Sequence, residues 1–166
     1  METDGAEMVG QEAHAIEMVP VGFVRGGRTE ATKDGWAGTR ARIVLRDDLF
    51  GAESVAGLDA VSHIEVVFHF HAHADESLEL GARHPRGNRD WPRVGIFAQR
   101  GRMRVNRIGV SVCRLLNTDG LSLEVEGLDA IDGTPVLDVK PVWSGYDPRG
   151  ERCEPEWARE IMARYW

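Results

Sequence analysis

Histidines, aspartates and a dense run of arginines are the side chains in this sequence whose types and spacing could do chemistry. Four of the six histidines are His63, His69, His71 and His73. On a strand, residues two apart share a face, so His69, His71 and His73 could point the same way and bind zinc. The same strand could instead bury Phe68 and Phe70 and let the histidines line a polar cleft. His14 and His84 are the remaining histidines, no His-Glu-x-x-His pattern occurs, and Cys113 and Cys153 cannot make a four-cysteine site. On ligand count and spacing, no metal is expected.

The cations are more telling. Lys33 and Lys140 are the only lysines among 20 basic residues. Eight arginines fall between Arg83 and Arg107, with Asp90 the only acid among them, so this stretch carries +7 on a chain of net charge −7. Such an island localises attraction for an anion, and arginine is the planar, bidentate reader of phosphate and carboxylate. The competing reading pairs these arginines with the acidic remainder of the chain.

A third cluster is the segment from Glu126 to Pro141, where Asp129, Asp132 and Asp138 fall within ten positions. Asp132-Gly133 reads as a tight turn with Asp129 as its cap. The same carboxylates could bind a ribose, an amine or a cation. Nucleophile and nucleotide-loop chemistries find little support. There is no Gly-x-Ser-x-Gly elbow, no phosphate-binding Gly-x-x-x-x-Gly-Lys loop and no Gly-x-Gly-x-x-Gly after a strand, while Cys113 sits inside an expected strand as an inert thiol.

The elements that must position these groups are mostly strands. At 166 residues, with 42% hydrophobic and 28% charged side chains, the chain reads as an ordinary globular protein. A flexible tail is expected over residues 1–15 and a single domain over 16–166. Strands are expected over Glu17–Arg25, Ala41–Leu45, His63–His71, Val94–Ala98, Val110–Leu116, Leu121–Glu126 and Thr134–Val142, with a hairpin turn around Asn117 to Gly120. Residues 47–58 suit a short helix or turn, and Ala74 to Pro92 a loop. One longer helix follows Pro155, with Trp157, Ile161 and Trp166 on one side. Seven short strands and little helix predict a mainly β fold, a small barrel rather than a Rossmann fold. The acidic N-terminus has no secretory pattern and no apolar run reaches the roughly 20 residues of a membrane span, so a cytoplasmic protein without a membrane partner is expected.

Several segments, in order, carry a resemblance. They are His84-Pro85-Arg86-Gly87, Val94 to Arg100, Asn106-Arg107-Ile108-Gly109-Val110-Ser111, and Gly127-Leu128-Asp129 through Asp132-Gly133-Thr134-Pro135 to Pro141. With Val21 to Arg25 and Leu58 to His63 upstream, they resemble the TsaA-like, or TrmO-like, family of S-adenosylmethionine-dependent tRNA methyltransferases from about Val19 to Pro141. The resemblance implies a small β-barrel, a homodimer holding the cofactor near the subunit interface, and N6-methylation of threonylcarbamoyl-adenosine beside the anticodon of tRNA. It also implies cofactor contacts at Lys33, Asp34, His71, Ala72, Arg100, Val110, Asp129, Ala130, Ile131 and Asp132. The arginine loop would then meet RNA phosphates through Arg86, Arg102, Arg104, Asn106 and Arg107. No catalytic base is identified.

The chain departs from the family where members commonly carry Thr-Arg-Ser and then Arg-Pro-Asn-Pro-Ile-Gly. Here Gln99-Arg100-Gly101 and Arg104-Val105-Asn106-Arg107-Ile108-Gly109 replace them, so both prolines are missing and Arg107 is added. The extension of longer bacterial members is also not expected after Trp166. Two alternatives therefore stand beside the tRNA enzyme: a methyltransferase of a small anionic metabolite, and a non-catalytic S-adenosylmethionine-binding module.

Overall fold

Alternate residues turn inward along two stretches, Ile64, Val66 and Phe68 in one and the smaller Gly109, Ser111 and Cys113 in the other, and these build the walls of a barrel. The computed structural model describes residues 14–73 and 77–166. Its strands are β1 (Gly22–Arg25), β2 (Arg40–Leu45), β3 (His63–His69), β4 (Ala82–Arg83), β5 (Val94–Gly95), β6 (Ile108–Asp119), β7 (Ser122–Glu126) and β8 (Pro135–Pro141). Six of them close in the order β1-β2-β7-β6-β3-β8, every pairing antiparallel, while β4 and β5 form a separate two-stranded sheet. One α-helix, α1 (Glu156–Tyr165), follows. The expected mainly β barrel with a C-terminal helix is what the chain forms.

Period-two alternation decides the core. Val24, Ile43, Ile64, Val66, Phe68, Leu123, Val125, Leu128 and Val136 point inward and are fully buried. Their neighbours face outward, among them Val110 and Val112 on β6. A small barrel of this kind has an interior just wide enough for its own side chains, so any ligand must bind at an end or outside.

Several boundaries differ from expectation. The first strand starts at Gly22 rather than Glu17, because Pro20 cannot donate to a ladder. The histidine strand ends at His69, and a 3₁₀ turn over His71–His73 replaces its last residues. The backbone N–H of Phe70 still donates to the Arg107 carbonyl at 2.9 Å, the next rung of the β3–β6 register. His71 and His73 lie beyond it in the turn, so the strand alternation on which a shared face for His69, His71 and His73 rested is absent. Val94–Gly95 pairs only with Ala82–Arg83 before the chain turns through a 3₁₀ segment, Ile96–Ala98. The β6 strand runs on to Asp119, so the hairpin turns at Gly120-Leu121, and a register shift between Leu115 and Asn117 absorbs the extra length. Of the expected tail, residues 1–13 lie outside the described residues.

Gly109 shows how tightly one barrel end is packed. A Cβ there would lie 2.5 Å from two ring carbons of Phe68, whose ring is fully enclosed and stacks edge-on against Phe70 at 5.3 Å. Gly109→Ala is therefore expected to cost about 1–3 kcal/mol of stability through overpacking. Urea unfolding checks it, as a lower midpoint at unchanged slope.

Candidate functional site

The end of the barrel at Phe68, Gly109, Ser111 and Thr134 opens into a cleft of about 1110 Å³. Four segments frame it. The loop after β1 contributes Lys33 and Trp36, the 3₁₀ turn after β3 contributes His71 and Ala72, the loop before β8 contributes Asp129 to Ile131, and the arginine segment contributes its cations. Helix α1 completes the lining with Trp157, Ile161, Met162 and Tyr165, and Trp166 follows.

The loop before β8 is held by backbone bonds that leave Asp129 facing the cleft. Gly127 adopts φ +82° and its N–H donates to the Thr39 carbonyl at 2.9 Å, while the N–H of Asp132 donates to the Arg28 carbonyl at 2.8 Å. The Asp132 carboxylate accepts from the Gly26 N–H at 2.7 Å, so this side chain braces two loops and is absent from the cleft lining. Asp129 is different. One of its oxygens accepts from the Tyr165 hydroxyl, and the other is buried without a partner among the described residues. The indole N–H of Trp36 and the hydroxyl of Ser111, both lining the same cleft, are likewise buried and unpartnered. Arg83 Nε, on another lining residue, is a fourth; buried polar atoms almost always find partners, so these orphans around one cavity mark a place for a polar ligand.

Arg28 shapes the loop that carries Lys33 and Trp36. Its guanidinium donates to the Asp34 carbonyl at 2.9 Å, also bonds the Thr32 hydroxyl and the Gly35 carbonyl, and lies 4.6 Å from the centre of the Trp36 ring. The opposite anchor is Arg86, a non-glycine residue at φ +53°. It pairs with the Asp34 carboxylate at 2.7 Å and donates to the Lys33 carbonyl at 3.0 Å. The Arg86 guanidinium, hydrogen-bonded to Asp34, holds that carboxyl below its ordinary range against the opposing effect of desolvation. Asp34 thus braces the loop, outside the cleft lining.

The cleft is strongly cationic. Lys33, Arg83, Arg86, Arg100, Arg102 and Arg104 line it, and among the described residues Asp129 is the only acid that does. Arg100 donates to the Val110 carbonyl at 2.8 Å, and Arg104 to the Gln99 carbonyl at 3.3 Å. Asn106 and Arg107 lie outside this lining: Arg107, at φ +46°, turns the chain into β6, and Asn106 borders a separate 290 Å³ hollow beside the exposed Phe97. The structure therefore brings together Lys33, His71, Ala72, Arg86, Arg100, Arg102, Arg104, Val110, Asp129, Ala130 and Ile131, and leaves out Asp34, Asn106, Arg107 and Asp132. Sequence reasoning missed Trp36, Ser111 and Tyr165, whose only signals were a tryptophan in a polar loop, a serine at an inward strand position and the tyrosine ending the last helix. Cys113 has a thiol pushed up to about 12 by burial and then by the Asp129 charge, and is no nucleophile. Among the described residues no group of three His, Cys, Asp or Glu is placed to hold a metal ion.

Comparison with known proteins adds the following. Residues 31–148 match the family model of the tRNA-methyltransferase O N-terminal domain. A mouse tRNA (adenine(37)-N6)-methyltransferase is 34% identical over 111 residues, covering 66% of this chain and 25% of that protein. A probable S-adenosyl-L-methionine-binding protein of Methanothermobacter thermautotrophicus is 34% identical over 139 residues, covering 81% of this chain and 96% of that protein. A crystal structure of TrmO from Pseudomonas aeruginosa superposes with TM-score 0.70 at 28% identity, covering 88% of this chain and 63% of that one. The chain thus spans a quarter of the mouse relative's length.

The Arg86–Asp34 pair makes a pH prediction. A carboxyl held below its ordinary value of 3.8 contributes stability that is complete above that pH and is lost as pH falls through its lower, folded value. Arg86→Met should therefore flatten the acid limb of a thermal-unfolding profile below pH 3.8 and leave its shape at neutral pH unchanged.

Proposed function

Because the chain belongs to the tRNA-methyltransferase O N-terminal domain family, we propose that it is an S-adenosylmethionine-dependent methyltransferase acting on N6 of an adenine in tRNA. The observation that carries the reading is the cleft itself: four orphaned polar atoms on its lining residues and six cations among that lining. S-adenosylmethionine, when bound, supplies a methyl group on a sulfonium that needs alignment and exclusion of water more than activation. The residues fit such a molecule. Asp129, Ser111 and Trp36 offer one acceptor, one hydroxyl and one donor to its amino, ribose or base groups, while Phe70, Ile108 and Val110 supply apolar wall. Arg100 would fix the carboxylate, and Lys33, His71, Ala72, Ala130 and Ile131 complete the contacts. Asp34 and Asp132 act from behind, by holding the two loops that present these groups.

The substrate reading rests on charge. A cleft lined by six cations and one acid attracts a polyanion, and the base we assign is the threonylcarbamoyl-bearing adenine beside the anticodon. Arg102 and Arg104 at the cleft are the phosphate contacts we favour; Arg86 serves the loop instead. Val110 and Val112 leave apolar surface exposed on the outer face of β6 beside the cleft, which supports a second copy of the chain covering this side. Such a homodimer working on tRNA belongs in the cytoplasm.

Incubation with labelled S-adenosylmethionine and total tRNA, followed by nucleoside mass spectrometry, is expected to give an N6-methylated adenosine derivative. Label found only in small metabolites, or none transferred while the cofactor binds, would replace the reading with one of the two alternatives. Neutralising Arg102 and Arg104 together should weaken tRNA binding and lower the slope of log affinity against log salt by about 0.7–0.9 per contact. An unaltered slope with full tRNA affinity would remove these arginines from the RNA site.

A further inference from the structure

Helix α1 lies against the cleft. Trp157, Ile161, Met162, Tyr165 and Trp166 line it, and the helix is tied down from several directions. The backbone N–H of Trp36 donates to the Tyr165 carbonyl at 2.9 Å, that of Gly35 to the Arg164 carbonyl at 3.1 Å, and the Trp91 indole to Glu160 at 2.9 Å. With the helix docked, the cleft still measures about 1110 Å³, at the upper end of ligand pockets. The helix is a wall and not a plug.

The contact that matters is Tyr165 with Asp129. Its hydroxyl donates to Oδ2, while Oδ1 is buried and has no partner among the described residues. A carboxylate fixed through one oxygen cannot rotate freely, so its other oxygen becomes an acceptor with a set direction. Burial, and then the negative charge of Asp129, push the Tyr165 hydroxyl above its ordinary range, so it stays protonated and can only donate to the carboxylate.

We infer that Tyr165 is a positioning residue: by holding Asp129 Oδ2 it presents Oδ1 to the cleft as the acceptor for an N–H or O–H donor of the bound cofactor. This rests on the S-adenosylmethionine reading above. It gives the C-terminal helix, which lies beyond the residues matched by the family model, a part in the site.

The test is calorimetric titration of the full chain with S-adenosylmethionine in a cycle of Tyr165→Phe, Asp129→Asn and the double variant, with Ile161→Ala as a helix-packing control. Near-ultraviolet circular dichroism of the tryptophans checks that the helix stays docked. Tyr165→Phe is expected to weaken binding about tenfold, the scale of a hydrogen bond to a charged group. In the Asp129→Asn background the same change should cost less than twofold, because the carboxylate it positions is gone. Ile161→Ala should cost the same in both backgrounds. An unchanged or tighter Kd in Tyr165→Phe overturns the inference; the tighter outcome would mean that the hydroxyl competes with the ligand. An equal loss in both backgrounds, or non-additivity shared by Ile161→Ala, overturns it too, as a packing effect. Wild-type protein that binds no S-adenosylmethionine takes away the cofactor reading and the inference together, whereas intact wild-type binding with an unaffected Tyr165→Phe removes the inference alone.

Discussion

Strand β8 has to satisfy two neighbours at once, β3 along most of its length and β1 at its start, and that double pairing closes the barrel. Closure fixes where the preceding loop runs. Because Pro135 and Val136 register against Phe23 and Gly22, residues 127–134 must cross the barrel end directly above Phe68 and Ser111. Backbone bonds to Thr39, Arg28 and Val24 then lock that loop, and Asp129 is set over the opening. With the interior filled, the barrel mouth is where a fold without a glycine-rich nucleotide loop presents a ligand site.

Electrostatics at that mouth follow from the same placement. The arginine segment has no long strand of its own; it is carried by the two-residue pairing of β4 with β5 and by turns that end in β6. It therefore wraps around the opening and gathers five arginines beside Lys33. Some of these cations have structural partners, Arg86 with Asp34 most clearly, so the island is partly a scaffold and partly a field. Two arginines in the left-handed region, Arg86 and Arg107, sit at the turns where the segment enters and leaves the mouth. Non-glycine residues are costly there and persist when surrounding contacts over-determine them, as the Arg86 ion pair and the Phe70–Arg107 backbone bond do.

How much of this was legible in the sequence depends on the range of the interaction. The strands over His63–His71 and Val110–Leu116 rest on local apolar runs and turn signals, and both became barrel walls. The charge island is local too, and so are the motif residues that bring Arg100 and Asp129 into view. What could not be read were decisions made by distant partners. His71 leaves its strand where the partner strand begins: the last rung of the β3–β6 register joins the Phe70 N–H to the Arg107 carbonyl, 37 positions away in sequence, and Arg107 itself turns at φ +46°. Asp129 and Asp132 look equivalent as letters, yet one faces the cleft and the other is spent on Gly26. Arg86 looked like any other arginine of the island until Asp34 claimed it. Tyr165 is legible only as the tyrosine ending the last helix, and the return of that helix to the barrel mouth gives it meaning.

The proposed place for S-adenosylmethionine is the mouth of the barrel, over Ser111 and beside Trp36 and Asp129. The five tryptophan indoles give separate probes of it by ¹H–¹⁵N nuclear magnetic resonance. Trp36 Nε1 is buried and unpartnered in the cleft, whereas Trp143 is exposed beyond the Pro141 end of β8, where Val142 bonds His63 at the start of β3. Titration with S-adenosylmethionine should shift the Trp36 indole resonance strongly and leave that of Trp143 in place. A saturable titration that moves Trp143 and leaves Trp36 unmoved would contradict the account.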